Sequence, residues 1–188
     1  MKTAVYGIQS VTLTDPGANG AFPATWTGGN AFSFKAIVKD SLSFNDSAAS
    51  DNDIEVEDSD DVYASLQSGI DTKGFTMDTY DLSEEAYIKL QQFTKPTTGN
   101  EDGWVYAPVS STDLIQAVQI ITKQFDDFPS KTFQWAKMKL NVTRAGTIGK
   151  SGFPNFHIEF RELMNADGTG QPISGHRWKI NAQAQSQG

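Results

Sequence analysis

The chain has 188 residues, no cysteine, and 23 acidic against 15 basic side chains, a net charge of −8. Without thiols there are no disulfides, cysteine nucleophiles, zinc–thiolate centres or iron–sulfur clusters, and a pI near 4.6 argues against a protein that grips phosphates. Hydrophobic content of 38% with 16 Gly and 12 Phe implies a folded, rather polar domain richer in strands and turns than in helices.

The opening residues carry Gln, Ser and Thr among their apolar positions and do not read as a secretory leader; no window reaches membrane-spanning length. Tyr6 and Ile8, then Val11 and Leu13, predict a first strand that changes face and ends at Asp15-Pro16-Gly17. Residues 18–30 are turn-rich, with Gly28-Gly29 as the clearest break. Phe32, Phe34, Ala36 and Val38 alternate with Ser33, Lys35 and Ile37, as one face of a strand would.

Between Lys39 and Lys73 lie ten carboxylates and no Lys or Arg. Asn45 to Asp53 reads as a long mobile loop, within an acidic excursion spanning about 40–62. Ile54-Glu55-Val56-Glu57 resumes a period of two and would place two carboxylates on one strand face. Like charges that close are unfavourable without a role or a basic partner. Asp51, Asp53, Glu55, Glu57, Asp58, Asp60 and Asp61 are therefore the candidate acidic site. The charge is divided along the chain: residues 1–128 hold 7 basic and 20 acidic groups, a balance of −13, and residues 129–188 hold 8 and 3, a balance of +5. Opposite poles steer copies together, which makes Lys137, Lys139, Arg144, Lys150, Arg177 and Lys179 the candidate basic counterparts.

Phe75, Met77 and Thr79 alternate as a strand, and one helix follows from Asp81 to Phe93. Asp81 with Glu84 three residues on predicts a capping box, and Ala86, Tyr87, Leu90 and Phe93 share a face before Pro96 ends the element. Glu84 and Glu85 then read as first-turn charges and not as an acid/base pair. Trp104 to Pro108 is a short strand. Residues 114–122 fit either period, and their β-branched content favours strand. Phe133 to Thr143 is a strand whose apolar side switches between Trp135 and Met138, as a bulge would produce. Phe156, Ile158 and Phe160 oppose His157, Glu159 and Arg161; Asn165-Ala166-Asp167-Gly168 is a turn, and Arg177–Ile180 a last strand. The whole reads as one domain over 1–180, with a flexible tail at 181–188.

No catalytic set emerges. Gly146-Thr147-Ile148-Gly149-Lys150-Ser151 has Arg144 where a phosphate loop needs its first Gly, and turn chemistry follows where a helix should start. Asp51 to Asp58 has the composition of a calcium loop but Val56 and Val62 at the positions that need Gly and Glu. His157 and His176 have no Gly-x-Ser-x-Gly elbow to serve, and Trp26, Trp104, Trp135 and Trp178 fit a core or interface better than a sugar platform.

From Thr76 to Leu163 the order is strand, acidic-capped helix, Gly-bounded loop, Trp104-Val105-Tyr106-Ala107-Pro108, a β segment, a long strand ending Asn141-Val142-Thr143, and Phe156-His157-Ile158-Glu159-Phe160-Arg161-Glu162-Leu163. This pattern resembles the tail tube (major tail) proteins of long-tailed bacteriophages and the related tubes of contractile injection machines. It covers about half the chain. The resemblance implies a mainly β fold with one helix, a β-barrel or sandwich of the tail-tube type. It also implies a non-enzymatic virion subunit without cofactor, made in the host cytoplasm, that builds stacked hexameric rings and meets other tail proteins. Double-stranded DNA would pass through the lumen without specific binding, and a negative lumen suits that task because it repels phosphate. The residues alone leave open a β-sandwich binding module for carbohydrate or calcium and, with less to support it, an enzyme on a β-sandwich.

Overall fold

The computed structural model of the protein describes residues 6–48, 50–56, 59–68, 72–94, 105–106, 113–125, 128–149 and 152–181. In chain order the elements are β1 (Tyr6–Thr14), β2 (Phe32–Ser33), β3 (Ser43–Phe44), β4 (Ser50–Val56), β5 (Ser59–Ser68), β6 (Gly74–Thr79) and helix α1 (Glu84–Gln91). There follow β7 (Phe93–Thr94), β8 (Val105–Tyr106), β9 (Leu114–Lys123), β10 (Lys131–Ala145), β11 (Asn155–Glu162) and β12 (His176–Ile180). The expected mainly β fold with one helix holds among the described residues. Eight strands form an open antiparallel sheet in the order β2-β1-β9-β10-β11-β6-β3, with β12 also beside β10; β4–β5 and β7–β8 are separate two-stranded sheets.

β10 is the spine. One edge pairs with β9, from Thr132↔Ile121 to Leu140↔Leu114. The other edge is divided end to end between β12, opposite Lys131–Trp135, and β11, opposite Met138–Ala145. The extra residue between Trp135 and Met138 is the bulge that the switch of apolar face predicts. At this seam the Ala136 N–H donates to the Gly175 carbonyl at 2.7 Å, and the Leu163 N–H to the Lys137 carbonyl at 3.1 Å. Residues 114–123 are strand, as their β-branched content indicated.

Alternation puts Phe156, Ile158 and Phe160 from β11 and Phe75 and Met77 from β6 fully inside. Phe75 stacks on Phe160 with centroids 4.3 Å apart and lies 5.2 Å from Trp135. Each such side chain removed from water contributes about 1.5–3 kcal/mol. In β1, Gly7 adopts φ 53° beside register shifts, and past that irregularity Val11 and Leu13 enter the core. The alternation proposed for Phe32 to Val38 ends at Phe34. Ala36 takes φ 51° and is exposed, while Ile37 turns to the core and bridges Thr79.

The opposite face of the sheet is partly covered by the turn-rich segment after β1. The Arg177 guanidinium lies 4.0 Å from the Phe22 ring centroid, and Asn165 Nδ2 donates to the Gly20 carbonyl at 2.7 Å. Thr132 and Gln134 are buried on this side. The turn after Asn165 is as expected: the Asp167 carboxylate accepts from the Thr169 hydroxyl and from the N–H groups of Thr169 and Gln171. These bonds, led by the Thr169 side chain, hold its pKa below the ordinary aspartate value. Asn181 still bonds Ser130 and Thr132, so the last strand's contacts reach one residue into the expected tail; residues 182–188 lie outside the described residues.

The helix is shorter than Asp81 to Phe93, and the capping box is corrected. Ser83 is the N-cap, its Oγ accepting from the Ala86 N–H at 3.3 Å, and Glu84 is the first helical residue. At the other end Gln92 adopts φ 54°, ψ 36° and closes the helix. Asp81 lies two residues upstream, 5% exposed, with its carboxylate accepting from the Lys35 N–H at 3.0 Å and the Ser83 N–H at 3.2 Å. Its own N–H donates to the Thr79 hydroxyl, which donates to the Lys35 carbonyl. Asp81 thus ties the chain after β2 to the helix entrance, a tertiary task that spacing alone does not reveal. Asp81→Ala should cost about 2–3 kcal/mol, as loss of buried bonds to a charged acceptor does, against about 1 kcal/mol for Ser83→Ala. Urea unfolding of the two variants measures this, and the reverse order would contradict the assignment.

Candidate functional site

The acidic stretch is not the loop expected at 40–62. The Ser43↔Thr76 and Phe44↔Phe75 pairs of β3 and β6 continue through the Ser47↔Thr72 bridge into β4 and β5, from Ser50↔Ser68 to Ile54↔Ala64. The near-constant register makes this one antiparallel ribbon that begins in the sheet and leaves it. Ser47 and Thr72 exchange both backbone bonds, at 2.8 and 2.9 Å. The β6–β11 ladder ends at Gly74↔Arg161, where a Cβ on Gly74 would lie 2.1 Å from the Phe160 carbonyl oxygen, so glycine is required at the exit. From Ser47 to Val56 the ribbon is about 30 Å long at the usual strand rise. β4 and β5 pack on each other and make no comparable contact with any other described element. We call it the acidic arm.

Asp51, Asp53 and Glu55 lie on β4, and Asp60 and Asp61 on β5; Glu57 and Asp58 lie outside the described residues. In the ladder Asp51 stands opposite Gln67 and Asp53 opposite Ser65. Register shifts on either side of Glu55 interrupt the simple alternation expected for Ile54 to Glu57.

The six basic candidates do not form one patch. Lys139 is paired in its own subunit with Asp113 at 2.7 Å, near a concavity of about 880 Å³ where Arg144, Arg161 and Glu159 also stand. Lys137 is half-buried at the β10 bulge, Arg144 lies at the far end of β10, and Lys150 is outside the described residues. Arg177 and Lys179 stand together on one exposed face of β12, where Arg177 Nε donates to Gln134 Oε1 at 2.7 Å.

Side-chain pairs that the sequence reading missed join neighbouring strands. His157 Nδ1 is 2.6 Å from Asp78 Oδ1, linking β11 to β6, and His176 Nδ1 is 2.9 Å from Glu162 Oε1, closing the β11–β12 seam. Period two places His157 and Asp78 on the same side of their strands, but only the pairing of those strands sets them opposite. Of the tryptophans, Trp135 is buried in the core and Trp178 is 60% exposed, with Lys131 Nζ 5.6 Å from its ring. Trp26 and Trp178 both line a second recess of about 460 Å³; Trp104 lies outside the described residues. The short strand expected around it is seen at Val105–Tyr106, paired with β7.

No protein-family model matches the chain, and no curated protein matches it either.

Because the arm packs on nothing else described, replacing residues 50–68 by an Asn-Gly turn should leave the melting temperature of the sheet within about 2 °C of wild type. Calorimetry of the shortened protein checks this. A fall of roughly 10 °C would mean that the arm supports the body.

Proposed function

We propose that this chain is a structural virion protein, the subunit of a phage tail tube in which stacked hexameric rings conduct DNA during ejection. The observation that carries the reading is the acidic arm, a two-stranded ribbon about 30 Å long that makes no comparable contact with any other described element. An isolated hairpin is marginal in water, and a neighbouring copy is the partner that a self-assembling protein always has. The outer edge of β12, unpaired among the described residues, supports the same reading, since contact between identical copies covers it. So does the charge division, −13 over residues 1–128 against +5 over 129–188, which favours head-to-tail contact over isologous contact.

Within this reading the sheet curls into a barrel. Residues 34–41 run from β1 to β6, with the Phe34 N–H donating to the Val11 carbonyl and the Val38 N–H to the Asp78 carbonyl. An acidic wall around the lumen keeps phosphate from adhering, so DNA slides through without a specific site. The subunit performs no chemistry and meets other tail proteins at the ends of the tube. A second reading, a carbohydrate-binding module, is favoured by one feature: Trp26 and Trp178 beside Gln119 and Gln134 in the 460 Å³ recess. Quenching of tryptophan fluorescence by oligosaccharides would support it.

Negative-stain microscopy of the concentrated protein tests the main reading. Rings or tubes with a central channel are expected, forming at a rate that falls as salt screens the poles. A monodisperse 20.5 kDa species at every concentration and salt would overturn it.

A further inference from the structure

Among the described residues β12 is an edge strand with one side unused. The Gly175 carbonyl accepts from the Ala136 N–H and the Asn181 N–H donates to the Ser130 carbonyl, so by antiparallel alternation Arg177 and Lys179 direct their backbone groups at β10, while His176, Trp178 and Ile180 direct theirs away. The His176 carbonyl accepts from the Ser174 hydroxyl at 2.8 Å. No described residue pairs with the three outward N–H groups or with the carbonyls of Trp178 and Ile180. His176 to Lys179 are all exposed, and neither Arg177 nor Lys179 has an ion pair among the described residues.

The arm offers the counterpart. As half of a two-stranded sheet, β4 has an outer edge, and its seven residues exceed the five of β12. Asp51 and Asp53 stand two residues apart along their strand, as Arg177 and Lys179 do. If the strands pair, the equal spacing sets each carboxylate opposite a cation on one face of the joined sheet. Among the described residues the chain therefore carries both halves of one match, an acidic ribbon with no other partner and a basic edge with open hydrogen bonds.

We propose that β4 of one copy adds as a strand to the free edge of β12 in a neighbouring copy, with Asp51 and Asp53 facing Arg177 and Lys179. Strand addition takes its affinity from the backbone ladder and its register from the side-chain pairs. The contact is heterologous, so it closes into a ring or runs on as a filament according to the rotation it imposes. It rests on self-association as the proposed function does, but it names the surfaces and does not require a tube.

A charge exchange tests it. The arm variant Asp51→Lys/Asp53→Lys and the edge variant Arg177→Glu/Lys179→Glu should each associate roughly tenfold or more weakly than wild type in sedimentation velocity. Mixed in equal amounts they should assemble again, because each then offers the other a complementary strand. Arg177 also contacts Phe22 and Gln134, so Trp178→Pro is a third variant; it removes an outward N–H without touching the β10 ladder. If it folds, by circular dichroism, it should also stay dissociated. Single variants that assemble like wild type, a folded mixture that stays monomeric, or normal assembly of folded Trp178→Pro would each overturn the proposal. Wild-type rings indifferent to all three variants would leave the tube reading standing without this contact. Charge-dependent particles that are not rings would keep the contact and remove the tube. A wild type monomeric under every condition would remove both.

Discussion

β10 has to satisfy two edges over fifteen residues, and the single extra residue between Trp135 and Met138 lets it do so. A one-residue shift exchanges the faces of a strand. Trp135 therefore reaches the aromatic core from one half of β10 and Met138 and Leu140 from the other, while the far edge passes from β12 to β11. The pairing of His176 with Glu162 and the bonds of Ala136 and Lys137 close the seam that this division creates. Two consequences reach the surface. Among the described residues β12 is held along one edge only, and β6, held by β11 as far as Gly74, is left to carry the arm out of the sheet.

The charge asymmetry of the chain acquires a place in this architecture. Five of the ten acids between Lys39 and Lys73 belong to β4 and β5, which make no comparable contact with any other described element, so their mutual repulsion falls on the ribbon and not on the core. The basic residues are spread along β10 and β12, and Lys139 is already neutralised by Asp113, an exposed pair that contributes little to stability. Arg177 and Lys179 are the two that stand side by side on a strand edge. The poles inferred from composition are thus better described as an acidic arm and a basic edge.

Strands with one buried face were legible because alternation is a direct imprint of burial: Phe75 and Met77, and Phe156, Ile158 and Phe160, lie inside as their spacing required. The bulge was legible for the same reason, as an alternation that changes phase at Trp135. The arm was not, because Asn and Asp have low strand propensity and its pairing is visible only as register with residues up to eighteen positions away. Asp81 matched a capping spacing yet serves the Lys35 N–H, forty-six residues upstream, and Ser83 caps without the Glu that would have advertised it. Ala36 could not be recognised as the end of an alternation, since its left-handed backbone follows from the turn toward β6 and not from its side chain. Which edges stay free is a property of the assembled sheet, so the surface on which function is proposed was the least legible part.

The proposed self-association divides the molecule into a body that is stable alone and an arm that a second copy would complete. Amide hydrogen exchange on the dilute subunit and on the concentrated protein measures both parts at once. In the dilute subunit, amides of residues 50–56 and 59–68 should exchange nearly as fast as unstructured peptide, while Phe133 and Leu140 in β10 stay protected. On concentration, the arm and the outward amides of His176, Trp178 and Ile180 should gain protection together, by roughly tenfold or more. An arm already as protected as β10 in the dilute subunit, or one that gains protection while the β12 amides do not, would contradict the account.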